Sequence, residues 1–224
     1  MKIKVIIFDF DGVIVDSADL KDRAWFQIFA DYDSLDHDFG IRSIIEKAKE
    51  KYSQGRGSRF NILREIFTNL KLPATRLDGL IEDYSQKYNK LVQEGINQRN
   101  VSPETEGVLK SLFQKYPLYI NSATPTENLQ ESLEHLKLNH YFRGCFGQPA
   151  SKVDNLRRIT QNEGVVASEV LFIGDSPGDY QAAEEFQCHF IALANKFNQW
   201  PEGNFKIIHS LNQIESELKA PEMI

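Results

Sequence analysis

The sequence has few cysteines and no long apolar run. Only Cys145 and Cys188 occur, with no CxxC or Cys/His spacing around either, so neither a disulfide framework nor a zinc site is predicted. The five histidines likewise show no metal-ligand spacing. The first apolar stretch stops at Asp9, too early for the hydrophobic region of an export signal. Without a run of transmembrane length, we expect a cytoplasmic protein that binds no membrane.

Clusters of positive charge are missing as well. The chain has 26 Lys and Arg against 32 Asp and Glu, a formal net charge of −6. Nonspecific binding to nucleic acid or to anionic lipid depends on clustered cations, so neither partner is expected. With 224 residues, 41% of them hydrophobic, the chain can bury one good core and has room for a smaller second domain.

Short apolar runs rich in β-branched residues alternate with helical patterns, which predicts a doubly wound, Rossmann-like α/β sheet of buried parallel strands. The predicted strands are residues 5–8, 118–120, 170–173 and 190–193. The predicted helices are residues 103–116, 125–138 and 153–162, which follow the helix-start residues Ser102, Thr124 and Ser151.

Residues 17–101 break this alternation. All 85 of them follow helical periodicity without a convincing strand, which predicts an inserted helical cap. The domain prediction is therefore a Rossmann-like core made of residues 1–16 and 102–224 and a cap made of residues 17–101. The predicted cap helices are residues 18–31, 39–52, 59–70 and 74–94.

Polar side chains directly follow three of the apolar runs, where ligands collect in an open α/β sheet. They are Asp9 and Asp11 after the first run, Ser122 after the second, Asp175 and Asp179 after the third, and Lys152 at a predicted helix start between the last two. Two carboxylates as close as Asp9 and Asp11 need a cation. Taken singly, each residue also has an ordinary interpretation, such as a turn acid, a turn hydroxyl or a solvated lysine.

Together these residues suit Mg²⁺ and a phosphoryl group, because Mg²⁺ prefers few carboxylates together with phosphate oxygens. One carboxylate can attack phosphorus. A second carboxylic acid can protonate the departing alkoxide and later remove a proton from water. Ser122 and Lys152 would hold the transferring oxygens, where the transition state is most negative.

These segments resemble the haloacid dehalogenase (HAD) superfamily, in particular its helical-cap members of the phosphoglycolate phosphatase and β-phosphoglucomutase types. Residues 5–17 match the first motif, Asn121 and Ser122 the second, Lys152 the third and residues 174–179 the fourth. The resemblance implies that Asp9 is the nucleophile, Asp11 the general acid and base, and Ser122 and Lys152 the phosphate-binding residues. It also implies that Asp9, Asp175 and the main-chain carbonyl of Asp11 bind Mg²⁺, and that Asp179 supports these ligands or binds the ion through a water molecule.

The lysine motif departs from many relatives, in which prolines follow the lysine, whereas Val153 and Asp154 follow it here. In the cap, Arg56 and Arg59 could bind the far end of a substrate. Their segment is equally well explained as a glycine-containing loop with Ser58 as a helix N-cap.

The function predicted first is a phosphatase acting on a small phosphorylated metabolite, such as a sugar phosphate or phosphoglycolate, selected by the cap. The alternative within the enzymes is a sugar phosphomutase, which shares every core residue.

A signalling receiver domain is the more distant alternative, but it carries its phosphorylated Asp on an interior strand and lacks a long insertion, whereas Asp9 follows the first strand. A dehalogenase is disfavoured, since halide displacement does not need Asp11. A monomer or small homo-oligomer is expected.

Overall fold

The computed structural model describes residues 2–32, 40–52, 59–195, 200, 203 and 205–219. The chain divides into two compact units. The larger unit comprises residues 1–16 and 97–224, and the smaller comprises residues 17–96. Residues 97–101, which the sequence assigned to the cap, thus group with the larger unit.

The larger unit is built on a six-stranded sheet in the order β3-β2-β1-β4-β5-β6, in which every neighbouring pair is parallel. The strands are β1 (Val5–Phe8), β2 (Leu118–Pro125), β3 (Gly144–Gln148), β4 (Val170–Gly174), β5 (His189–Leu193) and β6 (Lys206–Ile208). The chain leaves β1 toward β2 and later returns on its other side with β4. This reversal makes the carboxyl ends of β1 and β4 the place where a ligand crevice forms.

The described residues form nine α-helices, four in the smaller unit and the rest in the larger one. They are α1 (Ala18–Gln27), α2 (Ile41–Lys51), α3 (Arg59–Asn69), α4 (Ala74–Asn97), α5 (Pro103–Phe113), α6 (Thr126–His135), α7 (Lys152–Glu163), α8 (Pro177–Phe186) and α9 (Ile214–Glu217). Within the described part of the chain, no helix is both long and apolar enough to cross a membrane.

One hydrophobic cluster of the larger unit lies where one face of the sheet packs against α7 and α8. Its central side chains come from both layers and are Val5, Ile7, Leu156, Ile159, Phe172 and Ala183. Burying each large apolar side chain contributes roughly 1.5–3 kcal/mol. Because β1 and β4 are buried along their whole length, their ends are held rigidly.

Helix α7 has clear start and stop signals in the sequence. The Ser151 hydroxyl accepts a hydrogen bond from the Asp154 N–H at 3.1 Å, which satisfies a backbone donor that the first turn leaves unpaired. The helix ends at Gly164 in the left-handed conformation, with φ of 63°. These signals fix Lys152 as the first residue of the helix.

The four predicted strands and three predicted core helices are confirmed, β1 with the predicted bounds and the others with shifted ends. One expectation was wrong: Thr124 does not cap α6, which follows Pro125 and receives no side-chain cap bond. Strands β3 and β6 were not predicted. Strand β3 contains two glycines and no β-branched residue, and β6 has only three residues, so neither gives a strand signal.

The interior of the smaller unit is aromatic. The Trp25 and Tyr88 rings lie 4.7 Å apart, and Phe29 lies 4.9 Å from Tyr84 and 5.6 Å from Phe67, between ring centres. All five side chains are buried. The aromatic residues of the predicted helices thus form a packing core.

Candidate active site

The predicted core residues come together at the carboxyl ends of β1, β2 and β4 and at the start of α7. Asp9, Asp11, Ser122, Asp175 and Asp179 are all buried, at 8% exposure or less. The side chain of Lys152 is 15% exposed. Buried charged groups are costly unless they are paired or bind an ion, so this set requires an explanation beyond packing.

Asp9 is held by the strand that precedes it. Its N–H donates to the Ile173 carbonyl at 2.8 Å, which continues the pairing of β1 with β4. One carboxylate oxygen, Oδ1, accepts from the Phe10 N–H at 2.8 Å and lies 3.2 Å from Lys152 Nζ. These contacts orient the carboxylate before any substrate arrives.

Asp9, Asp175 and Asp179 form a carboxylate cluster, in which each contributes an oxygen within 4.8 Å of the others. Neighbouring donors hold Asp175 and Asp179 as well as Asp9. The Asn195 side-chain amide donates to Asp175 Oδ2 at 2.8 Å. Asp179 Oδ2 accepts from the Ser176 N–H at 3.0 Å and from its hydroxyl at 2.6 Å.

Two glycines allow the backbone to approach these acids closely. Gly12 has φ of +84°, and a Cβ on it would lie 2.0 Å from Asp175 Oδ2. A Cβ on Gly174 would lie 2.3 Å from the Cβ of Asp179. Any side chain at either position would displace a carboxylate of the cluster. Steric room therefore explains why glycine occupies both positions.

Lys152 joins the nucleophile candidate to the acid cluster, because its ammonium forms ion pairs with both Asp9 and Asp179. Burial by itself lowers the pKa of this lysine, but the negative charges of Asp179 and Asp9 outweigh burial and hold the pKa above its usual value. Lys152 therefore carries a permanent positive charge beside Asp9 at neutral pH.

Ser122 and Thr124 lie at the carboxyl end of β2. The Ser122 hydroxyl accepts from the Thr124 N–H at 3.2 Å, so its own proton remains available for donation. The Thr124 hydroxyl donates to Asp11 Oδ2 at 2.7 Å. The sequence had assigned Thr124 as a helix cap, whereas its hydroxyl orients the predicted general acid and base.

The carboxylate cluster fits a divalent cation. The group contains three buried carboxylates, whose negative charge the single positive charge of Lys152 does not balance. A bound dication would relieve the repulsion among the carboxylates. Oxygen donors of this kind suit Mg²⁺. Among the described residues, the cluster contains Asp179 and not the carboxylate of Asp11, for which the resemblance implied a main-chain contact only.

Thr124 and Asn195 are site residues that the sequence did not single out. Thr124 lies in the last residues of β2 and Asn195 follows β5, at the same sheet edge as the predicted residues. The rule that ligands collect at the carboxyl ends of strands would have found Asn195, which comes two residues after β5. Thr124 was missed because its position before a predicted helix favoured a role as helix cap.

Of the two cap arginines predicted to bind substrate, the structure describes only Arg59. Arg56 lies outside the described residues. Arg59 begins α3, and its guanidinium donates to Asn89 Oδ1 and lies 5.3 Å from the centre of the Tyr88 ring. These contacts lie within the cap, and the substrate-binding role of both arginines stays a prediction.

Comparison with known proteins gives the class that this fold and site define. The chain matches the family model of haloacid dehalogenase-like hydrolases over residues 6–193. It therefore belongs to the haloacid dehalogenase-like hydrolase family. The chain is 28% identical, over 204 residues, to a phosphoglycolate phosphatase from Aliivibrio fischeri, covering 88% of this chain and 86% of that protein.

Solved structures agree on the fold. A predicted phosphoglycolate phosphatase from Haemophilus somnus 129pt gives a TM-score of 0.73 at 18% identity, covering 96% of this chain and 98% of that one. A HAD hydrolase from Bacillus subtilis, whose structure is bound to magnesium, gives a TM-score of 0.69 at 16% identity. The match covers 98% of this chain and 100% of that one. The predicted superfamily, α/β fold with helical insertion and phosphatase class are confirmed.

A receiver domain differs from this chain in the order of its strands and in lacking the insertion. Asp9 follows β1, which is the first strand along the chain, and helices α1–α4 come before β2. In the sheet, β1 lies between β2 and β4, so the spatial position of β1 does not separate the two classes, whereas its place along the chain does. The family match supports the same distinction.

Proposed function

We propose that this chain is a Mg²⁺-dependent phosphatase that hydrolyses a small phosphorylated metabolite through an aspartyl-phosphate on Asp9. The observation that supports this most directly is the double position of Asp9. It belongs to the carboxylate cluster with Asp175 and Asp179 and is also paired with Lys152 at 3.2 Å. A nucleophile between a metal site and a fixed cation is the arrangement that phosphoryl transfer needs.

We propose that Asp9, Asp175 and the main-chain carbonyl of Asp11 bind Mg²⁺, with Asp179 as a supporting residue. When bound, the ion would neutralise charge on the phosphoryl oxygens. The related hydrolase from Bacillus subtilis is bound to magnesium in its structure. The close packing of Gly12 against Asp175 keeps this carboxylate in place with no ion present.

In the first half-reaction, an Asp9 carboxylate oxygen attacks phosphorus and the bond from phosphorus to the ester oxygen breaks. The departing alkoxide takes a proton from the Asp11 carboxyl group, which Thr124 orients. Lys152 and the Ser122 hydroxyl donate to the transferring oxygens. Their positions on α7 and β2 are fixed beforehand, so little reorganisation is needed.

In the second half-reaction, the Asp11 carboxylate removes a proton from water, and the resulting hydroxide attacks the phosphorus of the aspartyl-phosphate. The bond from phosphorus to the Asp9 oxygen breaks, which releases inorganic phosphate and regenerates the Asp9 carboxylate and the protonated Asp11 carboxyl group. One residue thus acts first as acid and then as base. A phosphomutase would instead pass the phosphoryl group from Asp9 to a second sugar phosphate.

The substrate proposal is less specific than the chemistry. Relatives such as those from Aliivibrio fischeri and Escherichia coli are phosphoglycolate phosphatases, at 28% and 23% identity. Phosphoglycolate and small sugar phosphates are therefore the first compounds to test. Arg56 and Arg59 remain our candidates for the substrate's far end. We also retain the cytoplasmic location and the monomer or small homo-oligomer as proposals from the sequence.

The test is a release assay for inorganic phosphate over phosphorylated metabolites, with and without Mg²⁺, on the wild type and Asp9→Asn. We expect Mg²⁺-dependent turnover that Asp9→Asn lowers by about 10³-fold or more, because the variant lacks the nucleophile. Asp83→Asn, which changes an exposed acid in the cap, should leave turnover unchanged. Absence of turnover with every compound would refute the phosphatase, and a sugar phosphate isomerised without phosphate release would favour the mutase.

A further inference from the structure

Two buried side-chain amides lie directly behind the site. Asn121 precedes Ser122 on β2 and is 0% exposed, while Asn155 lies in the first turn of α7, three residues after Lys152, and is 2% exposed. Asparagine is rarely buried to this degree, because its amide loses its hydrogen bonds to water. The partners that replace water therefore show what each amide does.

The two amides form a chain of hydrogen bonds toward Lys152. Asn121 Nδ2 donates to the main-chain carbonyl of Lys152 at 2.9 Å, and Asn155 Nδ2 donates to Asn121 Oδ1 at 3.1 Å and to the Gly147 carbonyl at 3.4 Å. Carbonyl oxygens only accept, so both Nδ2 atoms must face them. This leaves Asn121 Oδ1 to accept from Asn155, and the network fixes the orientation of both amides.

The chain of bonds connects the two elements that carry the phosphate-binding residues. Ser122 lies on β2 and Lys152 on α7, and Asn155 also contacts β3 through the Gly147 carbonyl. Lys152 has Val153 and Asp154 after it, so no proline stiffens this turn. In this chain the side-chain amides supply the restraint.

We propose that Asn121 and Asn155 are positioning residues that set the location of Lys152 relative to Ser122 and Asp9. They touch no substrate and act through the backbone of the lysine. The proposal deepens the function proposed above and rests on it. Displacing α7 by a fraction of an ångström would move the Lys152 ammonium from its 3.2 Å contact with Asp9, and misplacement on this scale is costly for catalysis.

A purely structural role makes a different prediction. If the amides serve only to satisfy each other, replacing both by apolar groups of similar shape should be nearly neutral, since no buried donor is then left without a partner. Stability and activity should recover together. If they position Lys152, the double replacement should restore stability while activity stays low.

The first experiment compares Asn155→Leu with the double variant Asn121→Leu/Asn155→Leu. We expect Asn155→Leu to lower both the melting temperature and kcat, the latter by about 10- to 100-fold, with a smaller change in KM. In the double variant, the melting temperature should rise again and kcat should stay low. A kcat that recovers with the melting temperature in the double variant would overturn the proposal.

The second experiment is a double-mutant cycle with Lys152→Met. If Asn155 acts through Lys152, Asn155→Leu should cost little further kcat once the lysine is gone, whereas full additivity would refute the proposal. Thr160→Val is the matched control, because Thr160 is a buried polar residue of the same helix whose hydroxyl donates to the Leu156 and Arg157 carbonyls of that helix. Its kcat should equal that of the wild type. Absence of turnover in the wild type would refute the proposed function itself. Failure of the positioning role is distinguishable from it, because it would appear in the kinetics of the variants beside an active wild type.

Discussion

The active site of the larger unit and the interior of the cap bury opposite kinds of side chain. The site buries four carboxylates and most of a lysine, whereas the cap buries rings such as Phe29, Tyr84 and Trp25. Aromatic burial is explained by folding alone. Buried like charges oppose folding, so they point to a function. This difference is why the chemistry can be inferred from the chain more readily than the substrate.

Of the tests of this difference between site and cap, the largest effect is expected from Asp175→Asn, which removes one charge of the carboxylate cluster. Without metal, the variant should melt at a temperature equal to or above that of the wild type, because repulsion among the buried carboxylates falls. Activity should drop by at least about 10²-fold, and the rise in melting temperature caused by Mg²⁺ should disappear. Thermal denaturation with and without Mg²⁺, beside a kinetic assay, measures both.

Asp78→Asn, an exposed cap acid paired with Arg64, is the control for that variant and should retain the full Mg²⁺ response. If Asp175→Asn kept the Mg²⁺-dependent rise in melting temperature, Asp175 would not be a ligand. The contrast between charge buried for function and rings buried for folding would then lose its main support.

The second prediction concerns the cap, where truncation should affect stability. Phe29 is fully buried against Phe67 and Tyr84, so Phe29→Ala should cost about 3–5 kcal/mol of unfolding free energy. Phe60→Ala, which changes a 41% exposed ring on α3, should cost within about 0.5 kcal/mol. Urea unfolding of both variants provides the measurement. Equal costs would show that the aromatic cluster is not a packing core.

The smallest predicted effect is a pH dependence at Tyr119, which is not part of the carboxylate cluster. The Tyr119 hydroxyl donates to Glu163, which also pairs with Arg143 at 2.9 Å. Burial, together with the hydrogen bond and charge of Glu163, raises the pKa of Tyr119 from 10.0 to about 12. The neutral tyrosine is therefore favoured in the folded state. Its contribution to stability is complete below pH 10 and is lost as the pH rises toward 12.

Tyr119→Phe removes this titration and leaves the other tyrosines unchanged. Urea unfolding between pH 9 and pH 12 should show a steeper loss of stability in the wild type than in the variant. Parallel curves for the two proteins would mean that Tyr119 titrates alike in the folded and unfolded chains.

Much of the fold and the site could be predicted from local sequence. Strand β1 was predicted with its observed bounds, because four consecutive buried apolar residues end abruptly at Asp9. Asp175 and Lys152 were found by the same rule of polar residues after strands and at helix starts. Each of these signals is contained in fewer than about ten neighbouring residues.

The features that were missed depend on contacts between distant residues. The residues next to Thr124 predict a helix cap at this position. Its contact with Asp11 forms in the folded chain, where the two residues come together. The bond between Asn121 and Asn155 likewise joins residues far apart in sequence, and no periodicity reports such a pair. Strand β3 forms because β2 offers an edge for pairing, which outweighs its weak intrinsic propensity.

The central claim is that Asp9 becomes phosphorylated, and trapping the phosphoenzyme tests it most directly. In Asp11→Asn, p-nitrophenyl phosphate should still phosphorylate the enzyme, because its leaving group needs little acid assistance, while hydrolysis without the base should be slow. Mass spectrometry of peptides from the quenched variant should find one phosphoryl group, on Asp9. A phosphoryl group on another residue, or none while the wild type turns over the same ester, would contradict the account.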